Sequence, residues 1–259
     1  MRVNQLLGES AARFDGVAAV VAGGVSHSFA ELDQKADRLA AAMRDRGVTL
    51  GDRVVVFMED CFATVVSIFA VFKAGGVLTP VDPATRADKL AYVLDHSRAV
   101  GIVTQARLAS VAAAAVVAAP LVELVVLVGG DWTPPSESCI RFEDIVARGR
   151  AVPTFDGPAD CDAPGLLAYA PSTGEPSEPA SVTHRQIDRA VEAAGAAIGE
   201  GGDRALLVQS ASSVPGIYRL LAAVKLGATV VLDDRGEHAT KWVLPAASIA
   251  GLDAAPATG

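Results

Sequence analysis

The chain has 259 residues, 51% of them hydrophobic and 20% charged, with a formal net charge of −8. That length buries a sizeable core in one large domain or two lobes, and 24 Gly and 14 Pro without a strict period exclude collagen-like, low-complexity and wholly disordered chains. A negative balance with no Lys/Arg block is the wrong footprint for nucleic acid or an anionic membrane, which leaves small molecules and proteins as partners. Cys61, Cys139 and Cys161 are widely spaced, odd in number and free of CxxC, so neither a disulfide framework nor a zinc site is expected and a reducing cytoplasm fits.

In chain order, the opening MRVNQLLGES has no apolar run before Glu9, so no secretory leader is expected. Ser28-Phe29-Ala30-Glu31 is a capping-box pattern in which the Ser28 hydroxyl takes the third helical N–H and Glu31 reaches back, so a helix starts there. Phe29, Leu32, Ala36, Leu39, Ala40 and Met43 recur at helical spacing, with Asp33, Lys35, Asp37, Arg38 and Arg44 between them, and Gly47 closes the helix. Residues 53–58 (RVVVFM) form a continuous apolar run rather than an alternating one, which predicts a strand buried on both faces of a parallel sheet. The order repeats as helix 61–74 ending at Gly75-Gly76, strand 77–80, helix 86–95, strand 100–104, helix 105–118 and strand 122–128, an α/β alternation. Residues 129–164 read as a surface excursion punctuated by Gly129-Gly130, Pro134-Pro135, Pro153, Pro158 and Pro164, with one short helix at 141–148. Strand 165–170, a loop rich in Pro and Ser, helix 184–198, strand 205–210, helix 214–226 and strand 228–232 follow, and the tail after Trp242 is expected to fray.

Residues 108–128 (LASVAAAAVVAAPLVELVVLV) reach transmembrane length. Pro120 and Glu123 lie inside the run, however, and its Ala-rich half is only weakly apolar, so an Ala-rich helix, a Pro break and a buried strand LVVLV are expected instead of a membrane span.

The order and spacing from about Val17 to Leu108, with SFAELDQKADRLAAAMRDRGVTLGDRVVVFMED and VFKAGGVLTPVDP at its centre, resemble the start of an adenylate-forming enzyme. That superfamily comprises acyl- and aryl-CoA synthetases, adenylation domains of nonribosomal peptide synthetases, and luciferases. The resemblance resumes through YAPSTGEPSEPASVTHRQI (169–187) and GATVVL (227–232), so it covers most of the chain. It implies an α/β fold of predominantly parallel sheets flanked by helices, the amino-terminal part of the family's large domain. One lobe, residues 50–185, is expected complete. The second, residues 1–49 and 186–259 with the frayed tail, is expected incomplete, because the family's later blocks find no counterpart here. The open sheet edge this would leave implies a homodimer or a hetero-complex.

Members of the family bind ATP and a carboxylic acid and form an acyl-adenylate. A loop of pattern SGSTGxPKG follows a strand and wraps the triphosphate, its small residues allowing close backbone approach and its lysine offsetting phosphate charge. Tyr169 and Thr183-His184-Arg185 bracket the matching segment, where Ser172, Thr173, Gly174 and Pro176 survive with a one-residue shift. Ser172, Thr173 and Gly174 are therefore the candidate cofactor-binding remnant. Both outer glycines and the lysine are gone, and Glu175 and Glu178 stand in the loop. Carboxylates beside a polyanion repel it, and Pro171 and Pro179 remove N–H donors from a loop whose task is to donate them. The bland reading of the same residues is an ordinary turn before a helix capped by Thr183.

No catalytic residue and no metal ligand emerges. His27, His96, His184 and His238 are scattered, and the pairs Glu31/Asp33 and Asp82/Asp88 read as solvated charge. Lys241 sits in HATKW, which matches no catalytic-lysine context of the family, and Cys61 opens a helix but reads as a buried, inert thiol. Residues 210–215 (SASSVP) stand where amino-acid-activating relatives carry Phe-Asp, so the resemblance supplies no ammonium anchor. Three functions stay open. The first is a truncated homologue that needs no ATP or other cofactor, has lost acid activation, and serves as a binding or accessory protein in acyl or natural-product biosynthesis. Its partners would be an acyl or aryl acid, a carrier protein or a biosynthetic enzyme. The second is an enzyme using the pocket between the lobes without ATP, and the third is one half of a split acyl-adenylating ligase.

Overall fold

A computed structural model describes residues 3–130, 138–148, 160–169, 178–199, 205–207 and 210–232. Helix α1 (Val3–Arg13) leads into a hairpin of β1 (Ala18–Ala22) and β2 (Val25–Ser28). Gly23 and Gly24 lie at φ 54° and 77°, the left-handed pair that a two-residue hairpin turn matching strand twist requires. Helix α2 (Phe29–Asp45) begins where its capping box predicts, with the Ser28 hydroxyl accepting from the Glu31 N–H at 3.1 Å. Removing that acceptor strands a helix-end donor, so Ser28→Ala is expected to cost about 1 kcal/mol. By calorimetry the thermal midpoint should fall roughly 2–4 °C, and an unchanged midpoint would show the cap to be idle.

Strands β3 (Arg53–Phe57), β4 (Val77–Val81), β5 (Gly101–Gln105) and β6 (Leu124–Val128) alternate with helices α3 (Phe62–Ala74), α4 (Ala87–His96) and, after a single 3-10 turn, α5 (Ala109–Val116). Helix α5 is shorter than its apolar stretch, and among the described residues no helix is long and apolar enough to cross a membrane. Next come β7 (Cys139–Arg141), α6 (Phe142–Arg148), β8 (Pro164–Ala168), β9 (Ala180–Thr183), α7 (His184–Gly199), β10 (Ala205–Leu207), α8 (Val214–Leu226) and β11 (Thr229–Leu232). The stretch read as a surface excursion is in part a correction. Residues 139–141 pair in parallel with Val125, Val126 and Leu127 and close one edge of the sheet, because Cys139 has a buried position to fill there.

Two sheets result. Seven strands in the order β7-β6-β5-β3-β4-β8-β9 are parallel except for the antiparallel β8–β9 pair, and four more run β10-β11-β1-β2 with only β1–β2 antiparallel. The run RVVVF shows why a continuous apolar strand is needed. Val54 and Val56 join the core that links the two sheets through α1, α2, α3, α7 and α8, whereas Val55 and Phe57 face the second core under α4 and α5. Helix α3, apolar all round, lies inside the first core with every residue from Ala63 to Ala74 buried.

Thr64, Ser67 and one charged group, Lys73, are buried with it. The Lys73 ammonium, its side chain 2% exposed, sits 2.7 Å from Asp33 and 2.6 Å from Asp37 of α2. Asp33 therefore departs from the solvated-charge expectation, because α2 turns it toward α3 and gives it a buried counterion. Burial pushes the Asp37 carboxyl above its ordinary range, more than the adjacent Lys73 pulls it down.

Candidate functional site

In a parallel sheet the carboxyl ends of the strands share one edge, and in α/β folds ligands bind there. Each of these ends is pinned by side chains. After β3, the Glu59 N–H donates to Gln105 Oε1 at 3.1 Å and Glu59 pairs with Arg107, which ties the exits of β3 and β5 together. Cys61 is half-buried rather than fully enclosed: Sγ receives Gln105 Nε2 at 3.5 Å and lies 3.3 Å from Thr64 Oγ1. Between them, Asp60 reaches the turn before α8, accepting the Ala211 N–H at 2.7 Å. Burial pushes this carboxyl up, while the amides of Ala211, Ser210 and Ser212 pull it down.

Tyr169 follows β8 and immediately precedes the loop that carries Ser172, Thr173 and Gly174. Its hydroxyl lies 3.0 Å from His96 Nδ1, and its ring meets Tyr92 edge-on at 6.3 Å. Burial first, and then the neighbouring Tyr92 and Glu178 charges, push its phenol up to about 12, so it stays a neutral hydrogen-bonding anchor. Ser172, Thr173, Gly174 and Glu175 lie outside the described residues, as do Lys241 and His238. Beyond the loop, Thr183 and Gln186 cap α7 reciprocally at 2.8 and 3.2 Å, so Thr183 is accounted for as a helix cap. The His184 ring packs against Gly165, where a Cβ would meet it at 3.0 Å, and burial lowers its pKa.

The turn 210–213 is committed to its own backbone. Ser210 is left-handed at φ 56°, its carbonyl accepts the Ser213 N–H at 2.8 Å and the Ser213 hydroxyl at 2.7 Å, and Ser213 Oγ accepts the Gly216 N–H at 3.1 Å. Asp82 caps its own turn through the Ala84 N–H, and Asp88 pairs with Arg86 in solvent. Among the described residues no group of three or more His, Cys, Asp or Glu side chains is placed to hold a metal ion. Two residues that sequence reasoning passed over, Asp60 and Gly216, thus define the geometry of this edge. Their only signal was an acid three residues past a buried strand and a glycine inside a helix's first turn.

Two sheets with a shared helical layer and helices packed on a mostly parallel sheet define an α/β protein built like the amino-terminal part of an adenylate-forming enzyme. The chain belongs to the AMP-binding enzyme family, which it matches over residues 7–250. It is 32% identical over 238 residues to phosphinothricin tripeptide synthetase PhsC of Streptomyces viridochromogenes, a match that covers 89% of this chain and 20% of that one. To tyrocidine synthase 3 of Brevibacillus parabrevis it is 34% identical over 104 residues, covering 40% of this chain and 2% of that protein. Among solved structures it superposes on apo MbtA of Mycobacterium smegmatis with a TM-score of 0.78 and 26% identity, covering 98% of this chain and 46% of MbtA. The chain therefore spans under half the length of these relatives.

Proposed function

We propose that this protein is an adenylate-forming-enzyme homologue that does not activate an acid with ATP and acts as a binding or accessory protein in acyl or natural-product biosynthesis. One observation carries the reading: the loop lacks the lysine of the family pattern and carries Glu175 and Glu178 instead. Each altered charge is worth about 1 kcal/mol at 4 Å in water and more in a drier site. A lost attraction and two repulsions therefore weaken a triphosphate grip by about a hundredfold. Glu178 is exposed, and its charge reaches Tyr169 at the loop's anchor, which supports a negative field at that place. In this reading Ser172, Thr173 and Gly174 are a remnant of a phosphate loop.

The ligand is an acyl or aryl acid and the partner a carrier protein or biosynthetic enzyme, in keeping with relatives that are peptide synthetases. A homodimer or hetero-complex in the cytoplasm belongs to the same reading, and the free thiols of Cys61, Cys139 and Cys161 suit a reducing compartment. Residues 50–185 form one lobe, and residues 1–49 with 186–259 the second. In support, the seven-stranded sheet draws on residues 53–183 alone and the four-stranded sheet on 18–28 and 205–232.

Restoring the loop tests the reading. Glu175→Gly with Glu178→Lys is expected to raise affinity for a fluorescent ATP analogue with Mg²⁺ at least about tenfold over the unaltered protein. Equal affinities for the two would remove the electrostatic basis of the proposal.

A further inference from the structure

The turn before α8 is held from outside its own sheet. Asp60 leaves the seven-stranded sheet at the exit of β3, yet its carboxylate accepts the N–H of Ala211, 151 residues further along the chain, at 2.7 Å. Ser210 is left-handed and a tight turn follows it, a backbone arrangement that presents amides to an anion, and the amides of residues 210–212 pull the buried Asp60 carboxyl down. The Ser210 carbonyl points the opposite way, toward Ser213 and the first turn of α8, where Gly216 leaves room for it. The amides are thus presented to Asp60 and the carbonyl to the helix. Glu59, the neighbouring acid, is already paired with Arg107, and Cys61, on the other side, is engaged by Gln105 and Thr64.

We propose that Asp60 is a latch: its carboxylate serves as an internal ligand that fastens the turn 210–213, and with it the N-terminus of α8, to the carboxyl edge of the seven-stranded sheet. Helix α8 leads straight into β11 of the four-stranded sheet. One side chain therefore couples the two sheets at the carboxyl edge of the seven-stranded sheet. The bond is charge-assisted and shielded, so its loss is felt first as local opening of the turn rather than as unfolding of either sheet.

Hydrogen–deuterium exchange on the whole chain, compared for the unaltered protein, Asp60→Ala and Asp60→Asn, tests the latch. In Asp60→Ala, amides of residues 211–217 are expected to exchange roughly tenfold to a hundredfold faster while those of β3 and β4 keep their protection. Asp60→Asn keeps an oxygen acceptor for the Ala211 N–H without the charge and should retain part of the protection. The proposal is overturned if Asp60→Ala leaves 211–217 unchanged or if Asp60→Asn loses as much as Asp60→Ala. It is equally overturned if exchange quickens in β3 and β4 by the same factor as in the turn.

Discussion

Lys73→Ala is expected to lower the free energy of unfolding by about 3–5 kcal/mol, the largest effect of any single substitution considered for this protein. The ammonium is almost wholly buried between α2 and α3 and satisfies two carboxylates at once. Removing it leaves Asp33 and Asp37, one turn apart on the same face of α2, without the ammonium they share, and the cost of the uncompensated charge outweighs the attraction that held the cluster. The pH dependence has a definite sign. Asp37 already has a raised carboxyl in the fold, so its protonated form is favoured there relative to the unfolded chain, and its contribution to stability is lost as pH rises through the folded value. Without Lys73 the Asp37 carboxyl rises further, because the ammonium that pulls it down is gone. The deficit of the variant should therefore be greatest at neutral pH and shrink as the solution is acidified toward about pH 4, where protonation removes the repulsion. Urea titrations of both proteins across that range check it. A deficit below about 1 kcal/mol, or one that grows with acid, would be incompatible with a buried ion triad.

Gly216→Ala is expected to destabilise by about 3 kcal/mol, against the ordinary preference of helices for alanine. Were the site open, alanine would stabilise the first turn of α8 by about 1 kcal/mol through its helix propensity. It is not open. A Cβ there would lie inside van der Waals contact of the Ser210 carbonyl oxygen, a backbone atom held by two hydrogen bonds from Ser213. The turn has to move, and its movement also removes the Asp60 bond to Ala211. Overpacking by 1–3 kcal/mol and the loss of a charge-assisted hydrogen bond together exceed the propensity gain. The sign of the measured change in unfolding free energy decides: a stabilised Gly216→Ala would mean the turn does not rest on α8.

The elements that the sequence discloses are those whose local chemistry and tertiary setting agree. The capping box at Ser28 and the apolar run at 54–57 are examples, since each can be read over a few residues and each is used as read. The Gly23-Gly24 hairpin is absent from the sequence expectations although its signal is just as local, two glycines that both take the left-handed conformation between β1 and β2. Strand β7 was not legible, because three residues at a sheet edge carry too little periodicity to separate them from the Pro-rich stretch around them. At the candidate site the limit is different. The Ser172-Thr173-Gly174 pattern is contiguous and could be seen, whereas the contacts of Asp60 with Ala211 and of Lys73 with Asp33 and Asp37 join positions far apart in the chain. No spacing rule reaches across such separations. Helical periodicity even assigned Asp33 to the wrong environment, because it marks which face is polar and not what faces it.

The central claim is that Glu175 and Glu178 leave the loop unable to grip a triphosphate. Isothermal titration of the unaltered protein with ATP and Mg²⁺ tests it most directly. The account predicts no saturable heat up to millimolar nucleotide, while a dissociation constant in the micromolar range would contradict it and favour one half of a split acid-activating ligase.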